Sequence, residues 1–413
     1  MKTRPPRRRS ARGKGTGGEA PKAVGKSAPA GKSAPAGDPL QLFPEEWAAL
    51  LDGWGEPAFR AGQVFGWIHR RGVTEPERMT DLPAGLRKRL REQGLRRPLS
   101  VVCSHLSADQ TRKLLVRMAD GRLVETVLIP RQAAAAGDPI DLGRADARGG
   151  KGYARSPVAQ CLSSQVGCAM GCVFCASGLA GFRRHLSASE IVSQVLVGRE
   201  LLGGDERLYS LVLMGMGEPL HNYRAVERAL LLLSHPQGLG MALRRMTVST
   251  CGLVPQIDRL AKRFGGRVPL AVSLHAADDR VRSRLMPVNR RYPLARLLEA
   301  LRRYPLAPGR RITIEYALAR GVNDSGQDAR RLARLLAGIR VKVNLIPVNS
   351  VPGMDLEASP EGRVSQFRER LRQQGILALI RRRRGGDIAA ACGQLALRGE
   401  GAREPVIGAG PGT

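Results

Sequence analysis

From Leu40 onward the chain carries apolar side chains at helical spacing: Phe43, Trp47, Leu50 and Leu51, then Phe59, Val64, Phe65, Trp67 and Ile68, then Met79, Leu82, Leu86 and Leu90. Positions three and four apart share one face of a helix, so this pattern predicts three short helices, to about Gln93, that bury those faces together. Residues Lys113 to Met118 and Leu123 to Ile129 alternate instead. With Asp120-Gly121 between them they predict a β-hairpin. Beyond Val158, runs rich in Val, Ile and Leu recur at 158–163, 209–216, 246–250, 269–274, 311–317 and 341–346. Helical patterns lie between them, among them 187–201, 223–233, 279–303 and 328–336. Strand and helix alternating in this way predict parallel βα units, and six units suit a partial barrel better than a closed eight-fold one. The expected class is therefore α/β, a partial (βα)6 barrel preceded by a small helical accessory domain and a hairpin.

The remaining segments lack either period. Residues 1–38 are Arg, Lys, Ala, Pro, Gly and Ser, and the hexamer Gly-Lys-Ser-Ala-Pro-Ala occurs twice, from Gly25 and from Gly31. Such a segment cannot bury enough to fold alone, and it reads as a disordered basic tail, either a solubilising tail or an arm on nucleic acid, with a transit peptide as a third reading. Residues 131–156 have loop composition and read as a flexible insertion. The expected organisation is a tail to 38, a helical accessory domain over 40–100, a hairpin extension over 101–130, the insertion, a barrel over 157–380, a loop over 381–397 and a tail over 398–413.

Charge narrows the class of partner. The 413 residues carry 67 Lys plus Arg against 36 Asp plus Glu, a formal charge of +31 that calls for a polyanion. No stretch approaches the eighteen apolar residues of a membrane span, and no apolar segment follows the basic N-terminus as in a secretory signal. Both point to a cytoplasmic protein with no membrane partner. The seven cysteines are odd in number, and four of them, Cys161, Cys168, Cys172 and Cys175, crowd into fifteen residues. Clustered thiols in such a chain bind metal or do redox chemistry more often than they staple a core.

Cys168-Ala-Met-Gly-Cys172-Val-Phe-Cys175 is the strongest chemical signal. Three thiols in one turn leave a fourth metal position open. A structural zinc would need a further ligand such as Cys161 or His185. An iron–sulfur cube accepts three thiolates and can present its fourth iron to a small molecule. The spacing, with Phe174 before the last thiol, resembles the signature of the radical S-adenosylmethionine (SAM) superfamily. The resemblance extends through Met214-Gly-Met-Gly-Glu218-Pro219-Leu220, Thr247-Val-Ser249-Thr250, Ala271-Val-Ser273-Leu274-His275-Ala276, Glu315-Tyr316, Val343-Asn-Leu-Ile-Pro347-Val-Asn349 and Asp387-Ile-Ala-Ala-Ala-Cys392-Gly-Gln-Leu395. Together these are similar to the RlmN/Cfr family of RNA adenine methyltransferases, from about Phe43 to Leu395 apart from the insertion.

That resemblance implies a [4Fe–4S] cluster on Cys168, Cys172 and Cys175, and two SAM molecules per turnover. It places Gly217 and Glu218 at the SAM amino group and Ser249, Ser273, Leu274, His275 and Asn349 around the rest of the cofactor. It implies that Cys392 is first methylated on sulfur and that a radical made from a second SAM takes a hydrogen from this methyl. The methylene adds to an adenine carbon, Glu125 accepts the proton, and Cys161 resolves the protein–RNA thioether as a disulfide. Adenine carbon 2 is not nucleophilic, so a radical route is chemically required. The implied substrate is 23S rRNA and possibly tRNA, which the helical accessory domain over 40–100 would dock, with a reducing partner such as flavodoxin, and the chain is expected to act as a monomer. Methylation at carbon 8, as in the Cfr branch, is the alternative, followed by a radical-SAM paralogue with another substrate and by a non-catalytic RNA-binding protein with a structural metal. Cys251 reads as filler, Cys103 as core, and Arg381 to Arg384 as a phosphate grip beside the Cys392 loop.

Overall fold

The computed structural model describes residues 38–130, 155–349, 351, 355–381 and 383–395. The tail to residue 37, insertion residues 131–154, Arg382 and the C-terminal tail from 396 lie outside the described residues.

The three expected helices form at α1 (Pro44–Asp52), α2 (Phe59–Phe65) and α3 (Ala84–Glu92), and α2 runs on through one wide turn, Gly66–Arg71. Pro44 opens α1 with its φ already helical, and the Glu46 carboxylate accepts from the Phe43 amide, which has no partner within the helix. Trp47, Phe65 and Leu90 from these helices are buried in one core that is continuous with the sheet.

The hairpin is larger than its pattern suggested. Strands β2 (Arg112–Met118) and β3 (Leu123–Pro130) pair as expected, but β1 (Leu99–Leu106) adds to β2 as an edge. The sequence conceals β1 because most of it is solvent-exposed, which leaves no apolar alternation to read. Cys103 lies on this edge, half-exposed beside His105, and is therefore not a core residue. Strand β3 then pairs antiparallel with β4 (Ser156–Cys161), from Val127 opposite Cys161 to Pro130 opposite Val158, so register holds on both sides of the insertion.

After the short β5 (Gln165–Gly167), α4 (Ala176–Leu179) and β6 (Phe182–His185), the chain alternates through α5 (Ala188–Glu200), β7 (Glu206–Leu213), α6 (Tyr223–Ser234), β8 (Met246–Thr250), α7 (Val254–Phe264) and β9 (Leu270–Ser273). It continues with α8 (Asp279–Leu285), α9 (Leu294–Arg303), β10 (Ile312–Leu318), α10 (Gly326–Leu336), β11 (Val341–Pro347), α11 (Glu361–Gln373) and β12 (Leu377–Ile380). Among the described residues one sheet runs β1-β2-β3-β4-β7-β8-β9-β10-β11-β12, parallel from β4 on. The six expected parallel strands are all present, and β12 adds a seventh. The single helix expected over 279–303 is two helices, because Pro287 and Pro293 cannot donate to a continuing ladder. Ser187 and Glu190 cap α5 reciprocally, and Ser325 and Asp328 cap α10. No helix among the described residues is long and apolar enough to cross a membrane.

Candidate active site

The parallel strands end on one side, and the polar residues that close them meet there. A cavity of about 170 Å³ is lined by Cys168, Cys172 and Cys175, by Gly217 and Glu218 after β7, by Ser249 and Ser273 at the ends of β8 and β9, and by His275, Asn349 and Cys392. Ligand sites at the carboxyl ends of parallel strands follow from this architecture.

Several lining groups are fixed from behind. The Glu218 carboxylate accepts from the amides of Leu220 (3.0 Å) and Cys251 (2.7 Å), and burial raises its pKa against those hydrogen bonds. The amide of Glu218 donates to Gln165 Oε1 at 2.8 Å. Gly217, at φ +98°, lies against Gln165 so closely that a Cβ would stand 2.6 Å from the Gln165 Cβ, so only glycine fits. Cys251 is buried beside Glu218, and burial raises its thiol well above the ordinary value, consistent with packing rather than reactivity.

His275 takes a left-handed backbone at φ +58°, unusual for a residue with a side chain. Its Nδ1 accepts from the Ala317 amide (2.9 Å) and its carbonyl from Asn323 Nδ2 (2.7 Å), and Phe174 meets its ring edge-on at 4.5 Å. Burial, aided by Arg282, lowers its pKa to about 3, so the ring is neutral and carries its proton on Nε2. Arg282, fully buried on α8, donates to the carbonyls of Leu274 (3.1 Å), Cys251 (2.8 Å) and Ser273 (3.1 Å) and to Asn289 Oδ1 (2.7 Å). It ties the ends of β8 and β9 together. Sequence reasoning passed over Arg282 and Gln165 because an isolated Arg on a helix or Gln in a loop carries no spacing signal.

A second cavity of about 150 Å³ is lined by Cys161, Cys392, Ile129, Arg383 and Leu395, and it shares Cys392, Asn349, Arg381 and Met214 with the first. Burial, then the neighbouring Cys392, push the Cys161 thiol up to about 12, while Arg381 pulls the other way. Arg381 is turned inward, 3.8 Å from Glu315 Oε2, and Arg384 Nη1 stands 4.0 Å from Asp109 Oδ2. Of the expected phosphate grip, only Arg383 is exposed among the described residues. The loop that bears Cys392 follows β12 and has no helix or strand among its described residues.

Two expected site residues are not brought to either cavity. Leu274 is fully buried, and its amide and carbonyl are already taken by Glu315 and Arg282. Glu125 is buried on β3, with Oε1 3.1 Å from Lys113 Nζ, and burial raises its pKa against that ion pair. It stands two residues along β3 from Val127, the strand partner of Cys161.

The donor set suits an iron–sulfur cluster. Among the described residues no three of His, Cys, Asp and Glu converge closely enough to hold a single ion. Three thiols spread around a cavity fit a cube, whose ligands sit on separate irons. Burial pushes the Cys168 thiol up to about 12 and raises Cys172 and Cys175 as well, so the bare thiols are protonated and would release their protons on binding iron as thiolates.

Comparison with known proteins agrees with this arrangement. Residues 162–335 match the radical SAM superfamily, and residues 40–94 match the ribosomal RNA large subunit methyltransferase N-terminal domain. The chain is 54% identical over 374 residues to the dual-specificity RNA methyltransferase RlmN of Sorangium cellulosum, covering 87% of this chain and 96% of that one. It is 48% identical to the probable dual-specificity RNA methyltransferase RlmN of Heliobacterium modesticaldum, covering 87% and 90%. A crystal structure of a radical SAM methyltransferase from Sphaerobacter thermophilus superposes with a TM-score of 0.77 at 42% identity, covering 87% of this chain and 98% of that one. The chain belongs to the RlmN family of radical SAM RNA methyltransferases, enzymes that work with a [4Fe–4S] cluster and SAM.

Proposed function

We propose that this enzyme methylates carbon 2 of an adenine in 23S rRNA, and in tRNA as a second substrate, by way of a methyl group carried on Cys392. The observation that carries the reading is the meeting of two cavities at Cys392, one lined by the three cluster thiols and the other by Cys161. A thiol between them can face the methyl source on one side and a resolving thiol on the other. The bound cluster and SAM supply a carbon radical able to take a hydrogen from a methyl group. The work of the chain is to place the groups around it.

Cys168, Cys172 and Cys175 hold the cluster. Gly217 and Glu218 take the SAM amino group, and Ser249, Ser273, His275 and Asn349 hold the remainder, with the neutral His275 offering Nε2–H as a donor. Leu274 contributes through the chain geometry it fixes between Ser273 and His275. Once Cys392 is joined to the adenine through a methylene, Glu125 would accept the adenine proton, and the unpaired electron left on the ring would return to the oxidised cluster. Burial raises its carboxyl and so makes it the stronger base. Cys161 then attacks the Cys392 sulfur. The sulfur–methylene bond breaks, its electron pair stays with the carbon, which takes up a proton, and a Cys161–Cys392 disulfide is left for an external reductant. A protein donor such as flavodoxin supplies the cluster's electrons. The basic charge of the chain supports a polyanionic substrate and salt-sensitive binding.

Cys392→Ala is expected to abolish methylation, and Cys161→Ala to accumulate a protein–RNA crosslink visible as a slow band on denaturing gels. Normal turnover without a crosslink in Cys161→Ala would remove the covalent relay. Mass spectrometry of the modified nucleoside separates the positions: the reading requires 2-methyladenosine, and 8-methyladenosine would overturn it.

A further inference from the structure

The loop that bears Cys392 is docked on the element that carries the cluster ligands. The chain runs from Cys175 straight into α4. There the Ala176 amide donates to the Gly393 carbonyl at 2.8 Å, and the Ser177 hydroxyl, 3% exposed, donates to the Leu395 carbonyl. From the other side, Asn349 Nδ2 donates to the Cys392 carbonyl at 2.9 Å. Three of the four carbonyls from Cys392 to Leu395, in an otherwise irregular segment, are thus held from outside it. The approach is close enough to restrict sequence: Gly393 has φ +84°, and a Cβ on it would stand 3.1 Å from the Phe174 carbonyl oxygen, in the cluster loop itself.

We propose that Ser177 is a positioning residue for the methyl transfer, and that α4 is the platform setting the distance between Cys392 and the cluster site. This rests on the proposed role of Cys392 and names what holds that residue in place. A hydrogen is taken efficiently only from a donor held in near-attack geometry, so a displaced loop lets the cofactor be cleaved while the methyl group is missed. The hydroxyl stands two residues beyond Cys175 and hydrogen-bonds its thiol as well as the Leu395 carbonyl, so Gly393→Ala, which leaves the bond to the thiol in place, separates a freed loop from a disturbed ligand.

The test uses the full chain with its cluster reconstituted, comparing wild type with Ser177→Ala and Gly393→Ala. Two quantities are read: 5′-deoxyadenosine formed per adenine methylated, and amide exchange over residues 391–395, the latter with and without cluster. Both variants are expected to keep the absorbance of the cluster near 400 nm, to exchange faster across the loop, and to raise the ratio by about tenfold or more. A wild-type ratio and wild-type exchange in both variants would overturn the proposal, as would loss of cluster in Ser177→Ala with Gly393→Ala behaving as wild type. Cys392→Ala keeps the two questions separate. Methylation persisting there defeats the proposed function, whereas a dead Cys392→Ala beside a fully coupled Ser177→Ala defeats the platform alone.

Discussion

The two walls that meet at Cys392 are built in opposite ways. The strand-end wall is saturated with internal hydrogen bonds: Glu218 takes two backbone amides, Arg282 reaches four acceptors, and His275 is bonded through both its ring and its carbonyl. The loop wall contains no helix or strand among its described residues, passes through left-handed backbone at Gly385, Ala389 and Gly393, and is held by contacts that other elements make to it. Strand ends over-determine the position of each group, which suits a site for a cofactor that must be bound in one orientation. A segment held from outside can let go at one end. That suits a thiol whose proposed task brings it to a methyl donor, an adenine and Cys161 in turn.

The sharpest way to break this contrast is to unpick the rigid wall. Arg282→Met removes the guanidinium and leaves three buried carbonyls and Asn289 Oδ1 without their donor. Each unsatisfied buried acceptor costs about 1 kcal/mol or more, so for the four the loss is on the order of 4 kcal/mol. Thermal unfolding of the variant is expected several degrees below wild type, together with weaker SAM binding by calorimetry. If Arg282→Met melted with the wild type, the strand ends would not depend on their staple.

The contrast also explains what could be read in advance. Helices and strands that bury one face were legible, as were thiols whose chemistry depends on spacing in sequence. Arg282 and Gln165 act through backbone carbonyls and amides brought together from distant segments, and no spacing encodes that. Leu274 shows the converse. A motif placed it at the cofactor, but its backbone groups are consumed by β10 and Arg282, leaving Ser273 and His275 on either side to face the cavity. The β1 strand escaped because its exposed face lacks the alternation that burial imposes, and Glu125 is not in the lining of either cavity because strand register, not motif order, sets its place beside Lys113.

A smaller effect concerns pH. His275 has its pKa lowered to about 3 in the folded chain, against 6.5 for the ordinary group. The unfolded chain therefore takes up a proton that the folded chain refuses. The stability tied to this neutral ring is fully present above pH 6.5, declines as pH falls toward 3, and is constant below that. Across that window the slope is about 1 kcal/mol per pH unit. His275→Asn retains an acceptor and a residue that tolerates left-handed backbone. Denaturant titrations at pH 7, 6 and 5 should show the variant losing less stability on acidification than wild type. Equal slopes would mean that the ring is not held neutral.

The smallest effect lies at the outer end of the loop, where Asp387 accepts from the Ser107 hydroxyl and the Ala108 amide (3.1 Å), and the Gly385 amide donates to Asp109 (3.1 Å). Those hydrogen bonds, Ser107 first, hold the Asp387 carboxyl below the usual carboxylate range, so this clasp stays charged well into acid. Asp387 is nonetheless exposed, and water can replace its donors, whereas nothing replaces the buried Ser177 hydroxyl. Asp387→Asn should therefore leave melting and cluster content at wild-type values and speed amide exchange only near residues 385–388. Its ratio of 5′-deoxyadenosine to product should rise by less than in Ser177→Ala. If Asp387→Asn uncoupled the enzyme more than Ser177→Ala did, the outer clasp rather than α4 would set the position of Cys392, and the loop would be anchored at the end that faces solvent.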